Sequence, residues 1–131
     1  MLSHLDLSLS TLISGEWRRF AILEFKRPGA IKFAEWQPVM GQPGTLGPGA
    51  VNICRQLHKY AYACNTPFGA VCDGLTLVLM KFGGSRHDWY NAQPQRAIPN
   101  SAVFRWITDR SLMKRNLYVW AREAYMAIVS S

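Results

Sequence analysis

One segment of the chain has the repeat of a helix, and segments with the repeat of strands stand on both sides of it. In residues 50–64 the apolar positions recur at helical spacing, directly after Pro48 and Gly49, a pair that suits a helix start. In residues 5–12 apolar and polar residues alternate, as they do in a half-buried strand. We therefore predict an α/β (α+β) fold.

Two hairpins and a second helix complete the predicted secondary structure. The chain turns at Ser14-Gly15-Glu16 and again at Asp73-Gly74, a strong hairpin signal. The other predicted strands are residues 17–26, 68–72 and 75–82, and the second predicted helix is residues 111–129. The predicted order is β-β-α-β-β-α, and the pattern of residues 101–107 is ambiguous.

Two stretches predict loops. Proline and glycine interrupt residues 27–49 so often that no regular element of any length fits there. A loop of this length in a compact domain is usually functional or mobile, and its notable side chains are Lys32, Trp36 and Gln42. Residues 85–100 are polar, contain two prolines and also predict a loop.

The composition bounds the size and the partners of the chain. Its 131 residues suit a single domain, residues 1–131, and 49% of them are hydrophobic, which argues against disorder. The net charge is +7, from 15 Lys and Arg against 8 Asp and Glu. This surplus favours a polyanionic partner, either nucleic acid or an anionic membrane surface, although a merely basic soluble domain fits the charge equally well.

Several classes of protein are disfavoured by the sequence. The three cysteines form no C-x-x-C pair and the histidines have no metal-ligand spacing, so we expect neither a disulfide framework nor a zinc site. No segment has the apolar length of a membrane span, and no basic leader marks a secreted chain. We expect an intracellular protein, nuclear or cytoplasmic, with no membrane partner. The expected roles are buried small hydrophobes for Cys54, Cys64 and Cys72, and exposed polar residues for His58 and His87.

The candidate site begins where the second predicted strand ends, in the run Glu24-Phe25-Lys26. Side chains alternate along a strand, so Glu24 and Lys26 are expected to point the same way. A carboxylate beside an ammonium can hold a metal ion and an attacking water together. The same pair can also be an ordinary salt bridge.

Three other residues bear on the choice between a metal site and an ordinary salt bridge. Asp6 lies on the polar face of the first predicted strand, and Gln56 and Tyr60 are four apart on one face of the predicted helix. The ordered set of Asp, Glu-x-Lys and Gln-x-x-x-Tyr resembles the PD-(D/E)XK nuclease superfamily, in particular its RecB-like branch. The likeness covers about residues 5–82. The run Glu-Phe-Lys-Arg-Pro-Gly is also similar to nuclease-like domains of fungal and oomycete proteins, including Crinkler-type effectors.

The resemblance implies a restriction-endonuclease-like mixed sheet flanked by helices and a metal-dependent nuclease that hydrolyses phosphodiester bonds in DNA. Asp6 and Glu24 would bind Mg²⁺ (or Mn²⁺), and the Phe25 carbonyl would complete the protein ligands. Lys26 would orient or polarise the attacking water.

The resemblance also implies roles for the helix and for nearby cations. Gln56 would position the water or a phosphate, and Tyr60 would support the site or touch the nucleic-acid backbone. Backbone contacts whose affinity falls with salt are expected from four basic residues, Arg27, Lys32, Arg55 and Lys59.

The sequence departs from the superfamily pattern at its start. Leu5 stands where a proline usually precedes the aspartate, and only five residues precede Asp6, so the predicted order lacks the usual first helix. A sheet without that helix would expose apolar surface, which favours a homodimer. The alternative function is a catalytically inactive nuclease-like module that binds nucleic acid or a protein partner, as an effector or a dimerisation domain.

Overall fold

The computed structural model describes residues 7–40, 44–90 and 102–130, which form a five-strand sheet with helices packed against it. The elements are β1 (Leu7–Ile13), β2 (Glu16–Phe25), two short 3₁₀ helices (Phe33–Glu35 and Gln37–Met40), α1 (Pro48–Cys64), β3 (Phe68–Cys72), β4 (Leu77–Phe82), α2 (Arg86–Tyr90), β5 (Ala102–Ile107) and α3 (Arg110–Val129). The predicted mixed fold is therefore confirmed at the level of α+β class. Among the described residues, no helix is both long and apolar enough to cross a membrane.

The strands lie in the sheet in the same order as in the chain, from β1 to β5. β2 and β3 run parallel, whereas the pairs β1–β2, β3–β4 and β4–β5 are antiparallel. Parallel neighbours need a crossover connection, and α1 lies in that crossover. The β1–β2 pair is closed by a tight turn, in which Ser14 and Gly15 have φ angles of 51° and 84°. Two successive left-handed residues are typical of the turn whose twist matches a hairpin.

Both faces of the sheet are buried over its central strands, one under α1 and the other under α3. The alternation in β2 shows this directly, because Ile22 packs in the cluster with α1 while Ala21 and Leu23 pack in the cluster with Trp120 of α3. The apolar stripe predicted for the first helix is buried at every position, namely Ala50, Ile53, Leu57, Ala61 and Cys64. The residue after Leu23 in β2 is Glu24, which the alternation turns towards α1.

The connection between β2 and α1 is packed down rather than extended into solvent. Its Ile31, Trp36 and Leu46 are all buried in the α1 cluster. Glu35 receives two backbone donors from the start of α1, with the Gly47 N–H bonding its carbonyl oxygen at 2.9 Å and the Gly49 N–H bonding its carboxylate. A carboxylate at this end of a helix is favoured by the helix dipole. These contacts fix where α1 begins.

Two elements differ from the sequence prediction. The predicted loop over residues 85–100 contains α2, because Trp89 is buried and its indole N–H donates to the Gly83 carbonyl oxygen at 2.9 Å. The ambiguous segment 101–107 contains β5, which pairs with β4 from Leu77 opposite Ile107 onwards. Both elements depend on segments distant in sequence, since Trp89 is buried in the cluster with α1 and β5 pairs with β4.

β4 begins two residues later than predicted. Leu75 and Thr76 donate their backbone N–H groups to the Asp73 carboxylate at 2.9 and 2.8 Å, so they belong to the turn. The reading of Asp73 as a turn residue therefore agrees with the structure. The Ile31 N–H also donates to Asp73, at 3.0 Å, which ties the β2–α1 connection to this turn.

The prediction that His58 is an exposed polar residue was wrong. Its side chain is 5% exposed on α1, and its ring packs edge-on against Phe82 with the centroids 4.2 Å apart. Its Nδ1 atom has no hydrogen-bond partner among the described residues. Burial disfavours the charged imidazolium and lowers the pKa of His58 to about 4.

This pKa predicts that stability falls in mild acid. The unfolded state takes up a proton near pH 6.5 while folded His58 stays neutral until about pH 4, so stability is complete above about pH 6.5 and decreases below it. We expect His58 to cost about 2 kcal/mol of unfolding free energy between about pH 7.5 and about pH 5.

The measurement is urea unfolding of wild type and His58→Phe at both pH values. The variant should lose less stability than wild type on acidification. His87→Phe is the matched control, because His87 is exposed, and it should keep the wild-type pH dependence. Equal acid sensitivity of wild type and His58→Phe would contradict the prediction.

Candidate functional site

The candidate site lies at the carboxyl end of β2, on the face of the sheet that α1 covers. Glu24 is 1% exposed, and one of its carboxylate oxygens, Oε1, lies 2.8 Å from Nζ of Lys26. The Lys26 N–H donates to the Cys72 carbonyl oxygen at 2.8 Å, so the backbone keeps strand geometry one residue beyond β2. The two side chains therefore share a face, as the Glu-x-Lys spacing predicted.

Gln56 brings α1 into the same site. The Lys26 ammonium donates to Gln56 Oε1 at 3.2 Å while it contacts Glu24. We call Glu24, Lys26 and Gln56 the Glu–Lys–Gln cluster. Lys26 and Gln56 are thirty positions apart in the sequence. Glu35 caps the start of α1, and this contact helps to set the distance between α1 and the end of β2. The structure thus brings together three of the predicted site residues.

Tyr60 lies one helical turn after Gln56, but it belongs to the core. Its side chain is 4% exposed and packs in the α1 cluster with Leu57 and Ala61. A ring at this depth offers little of its surface to a nucleic-acid backbone. Of the two roles implied by the resemblance, support of the site from within α1 is the one that fits its position.

The other residues that the resemblance implies as metal ligands are only partly covered by the structure. Asp6 lies outside the described residues. The first pair of the β1–β2 ladder is Leu7 opposite Leu23, one residue short of Glu24. Phe25 ends β2 with its ring exposed, and its carbonyl oxygen is the atom that the resemblance implicates. Within residues 7–40, 44–90 and 102–130, no group of three His, Cys, Asp or Glu side chains could hold a metal ion.

The four cations expected to contact nucleic acid are all exposed. Arg27 and Lys32 lie in the connection after β2, and Arg55 and Lys59 lie on α1 beside Gln56. Arg55 and Lys59 are four apart and so are neighbours on the helix surface. The first pair thus follows β2, which carries Glu24, and the second pair lies on α1, which carries Gln56.

Asp73 is a structural carboxylate that sequence reasoning assigned only to a turn. Burial raises its pKa, but backbone N–H groups of Ile31, Leu75, Thr76 and Gly29 outweigh that effect and leave the pKa below its ordinary value. Its carboxylate is thus committed to backbone donors. By holding Ile31, Asp73 also positions the connection that carries Arg27 and Lys32, a role for which the Asp-Gly turn signal gives no hint.

The Glu24–Lys26 pair predicts a strong coupling in stability. Glu24 is almost fully buried, so Lys26→Met would leave an uncompensated carboxylate in the protein and should lower the free energy of unfolding by about 3 kcal/mol. Glu24→Gln in the same chain removes that charge, so the double variant should be more stable than Lys26→Met alone. Urea unfolding of the two single variants and the double variant measures the coupling.

The matched control is Lys32→Met, which changes the same residue type at an exposed position of the adjoining connection. We expect its stability to stay within about 0.5 kcal/mol of wild type. If Lys26→Met were equally mild, Glu24 would be solvated in solution and the Glu–Lys–Gln cluster would not be a fixed arrangement.

No family model matches this chain, and no curated protein or solved structure is significantly similar to it. Its function is therefore inferred from its own residues and from their geometry.

Proposed function

We propose that this chain is a metal-dependent nuclease of the PD-(D/E)XK type, which hydrolyses phosphodiester bonds in DNA. The observation that supports this best is the buried Glu24 carboxylate held 2.8 Å from the Lys26 ammonium, with Gln56 of α1 on the same ammonium. An ordinary surface salt bridge is exposed and involves two residues. Here the carboxylate is buried and the ammonium has a third partner. A carboxylate, a cation and an amide gathered at one strand end suit the binding of a phosphate and a water.

Lys26 and Gln56 would each act on the attacking water or on the phosphate. The Lys26 side chain is 29% exposed, and its contacts with Glu24 and Gln56 hold its ammonium in place. In that position it would orient an attacking water and stabilise negative charge that develops on the phosphate. Gln56, whose carbonyl oxygen accepts from Lys26, would present its amide N–H₂ group to the water or to a phosphate oxygen.

Mg²⁺ or Mn²⁺ is the metal that the proposal requires. Mg²⁺ is a hard cation that binds through one or two carboxylates and completes its shell with waters and substrate phosphates, and Glu24 with the Phe25 carbonyl offers oxygen donors of that kind. When bound, the metal would lower the pKa of a water and neutralise phosphate charge. The second carboxylate in the proposal is Asp6, which requires the β1–β2 ladder to continue one residue beyond Leu7 opposite Leu23.

The fold and the charge are compatible with this proposal. The parallel pair β2–β3, joined through α1, sets the helix across the strand end that carries Glu24, and we propose that the sheet is of the restriction-endonuclease type. The net charge of +7 and the exposed Arg27, Arg55 and Lys59 suit a DNA partner. An intracellular location, nuclear or cytoplasmic, follows as part of the same proposal.

A second candidate is a nuclease-like module that binds nucleic acid or protein without cleaving. The favouring observation is that the described residues supply Glu24 but no cluster of three metal-ligating side chains. The two candidates share the cationic surface and differ in whether Asp6 and Glu24 bind a metal together.

A nuclease assay with Mg²⁺ or Mn²⁺ tests the lead proposal. Wild type should cut DNA, chelation of the metal should abolish cutting, and Glu24→Gln or Lys26→Met should lower the rate at least about 100-fold, since each removes a group that acts on the phosphate or water. Glu16→Gln and Lys114→Met are matched controls that should keep the wild-type rate. Both residues are exposed; Glu16 lies at the start of β2, at the opposite end from Glu24, and Lys114 lies on α3. Circular dichroism confirms that each variant is folded.

DNA binding at several salt concentrations separates the second candidate. Binding that weakens with salt, together with no cleavage by wild type under any metal, would replace the lead proposal with the non-catalytic one. Cleavage that survives both Glu24→Gln and Lys26→Met would place the active site elsewhere and overturn the assignment of the Glu–Lys–Gln cluster.

A further inference from the structure

α3 presents apolar side chains on two opposite faces. One face packs on the sheet, where Trp120 and Ala124 are buried. On the other face Leu112, Val119 and Met126 are 44%, 46% and 50% exposed. A helix with a single apolar face is satisfied by packing that face on the protein core. A second, exposed apolar face is typical of a surface that binds another molecule.

Three of the six large apolar residues exposed on α3 form a regular stripe. Leu112, Val119 and Met126 are spaced by seven residues, so they lie nearly in line along the helix. The positions between them on the same face are polar and carry both signs of charge; they are Arg115, Asn116, Arg122 and Glu123. We call these seven residues the outer stripe of α3. The stripe spans 15 of the helix's residues, or about 21 Å at about 1.5 Å per residue.

We propose that two copies of this chain associate through the outer stripe, with the α3 helices antiparallel about a two-fold axis at Val119. A two-fold interface brings the same surface of both copies together, so the stripe must complement itself when reversed. Reversal about Val119 sets Leu112 opposite Met126 of the second copy, and Val119 opposite its equivalent. Every apolar position then meets an apolar position.

The charges complement one another in the same register. Arg115 meets Glu123 of the second copy, and Asn116 meets Arg122. The Asn116 amide group already donates to the Leu112 carbonyl oxygen at 2.8 Å, which leaves its own oxygen to accept from Arg122. Within α3, the positions three and four away from Arg115 and from Glu123 hold no opposite charge, so the helix itself gives neither residue a partner.

Other arrangements of the two helices lose this match. In a parallel pair each residue meets its equivalent, so Arg115, Arg122 and Glu123 would each face a like charge. A shift of the antiparallel pair by seven residues leaves one end of the stripe without a counterpart. Antiparallel pairing also sets opposite ends of the two helix dipoles side by side. The stripe therefore selects one orientation and one register. The inference does not depend on nuclease activity.

Charge reversal tests the pairing. Arg115→Glu and Glu123→Arg each put like charges opposite each other twice in the symmetric pair, and each should weaken self-association about tenfold, which is about 1.4 kcal/mol. The variant that carries both changes restores opposite charges and should recover most of the wild-type affinity. Sedimentation equilibrium of the full chain over a range of concentrations gives the dissociation constants. Lys114→Glu is the matched control, because this cation lies on α3 outside the stripe and its reversal should leave association unchanged.

Cross-linking tests the axis independently of charge. Val119→Cys places two thiols at the proposed axis and should form a covalent dimer on mild oxidation, whereas Lys114→Cys should not. Cys54 and Cys64 are buried but Cys72 is half-buried, so the wild-type chain oxidised in parallel gives the background of the chain's own cysteines.

Three results would overturn the proposal. The first is a wild-type chain that stays monomeric at every concentration. The second is a double charge reversal that fails to recover association while Glu123→Arg alone lowers the thermal stability of the monomer. Glu123 borders a cavity of ≈ 160 Å³ with Lys81 and Arg105 of its own chain. That outcome would show that Glu123 pairs with these two cations and not with Arg115 of a second copy. The third is binding of α3 to anionic vesicles by a chain that does not self-associate.

Discussion

β2 and β3 lie side by side and run in the same direction, so the chain must return along the length of the sheet between them. α1 is the helix of this crossover, and the long connection before it links the end of β2 to the start of the helix. The anchoring of Trp36, the capping contacts of Glu35 and the bond from Ile31 to Asp73 all serve this connection. The parallel pair therefore dictates that α1 covers the sheet over the strand end that carries Glu24.

Burial of Glu24 is one consequence of this arrangement. Glu24 follows an apolar run of β2 in which successive side chains face α1 and α3 in turn. The position of the strand between these two helices therefore removes the Glu24 carboxylate from water. Withdrawal of a carboxylate is costly without a counter-charge, and Lys26 supplies one at 2.8 Å. The same geometry brings the Glu24 carboxylate and the Gln56 side-chain oxygen to one group, the Lys26 ammonium.

Local sequence signals were sufficient for most of the secondary structure. The stripe of α1, the turn at Ser14-Gly15 and the hairpin around Asp73 were predicted because neighbours in sequence decide them. α2 and β5 were not, since Trp89 needs Gly83 and a burial site beside α1, and β5 needs β4 as a partner. His58 was misjudged for a related reason: a polar residue in the sequence became a core residue because Phe82 lies beside it in the fold.

The sequence by itself determined the order of β1, β2, α1, β3, β4 and α3, the shared side of Glu24 and Lys26, and the helical neighbourhood of Gln56 and Tyr60. Strand and helix periodicities alone set these relations. Only the tertiary structure decided that Lys26 bridges Glu24 and Gln56, that Tyr60 is buried rather than displayed, and that α3 keeps an apolar stripe exposed. Distances across a sheet and a crossover depend on packing between segments tens of residues apart, and no local pattern encodes them.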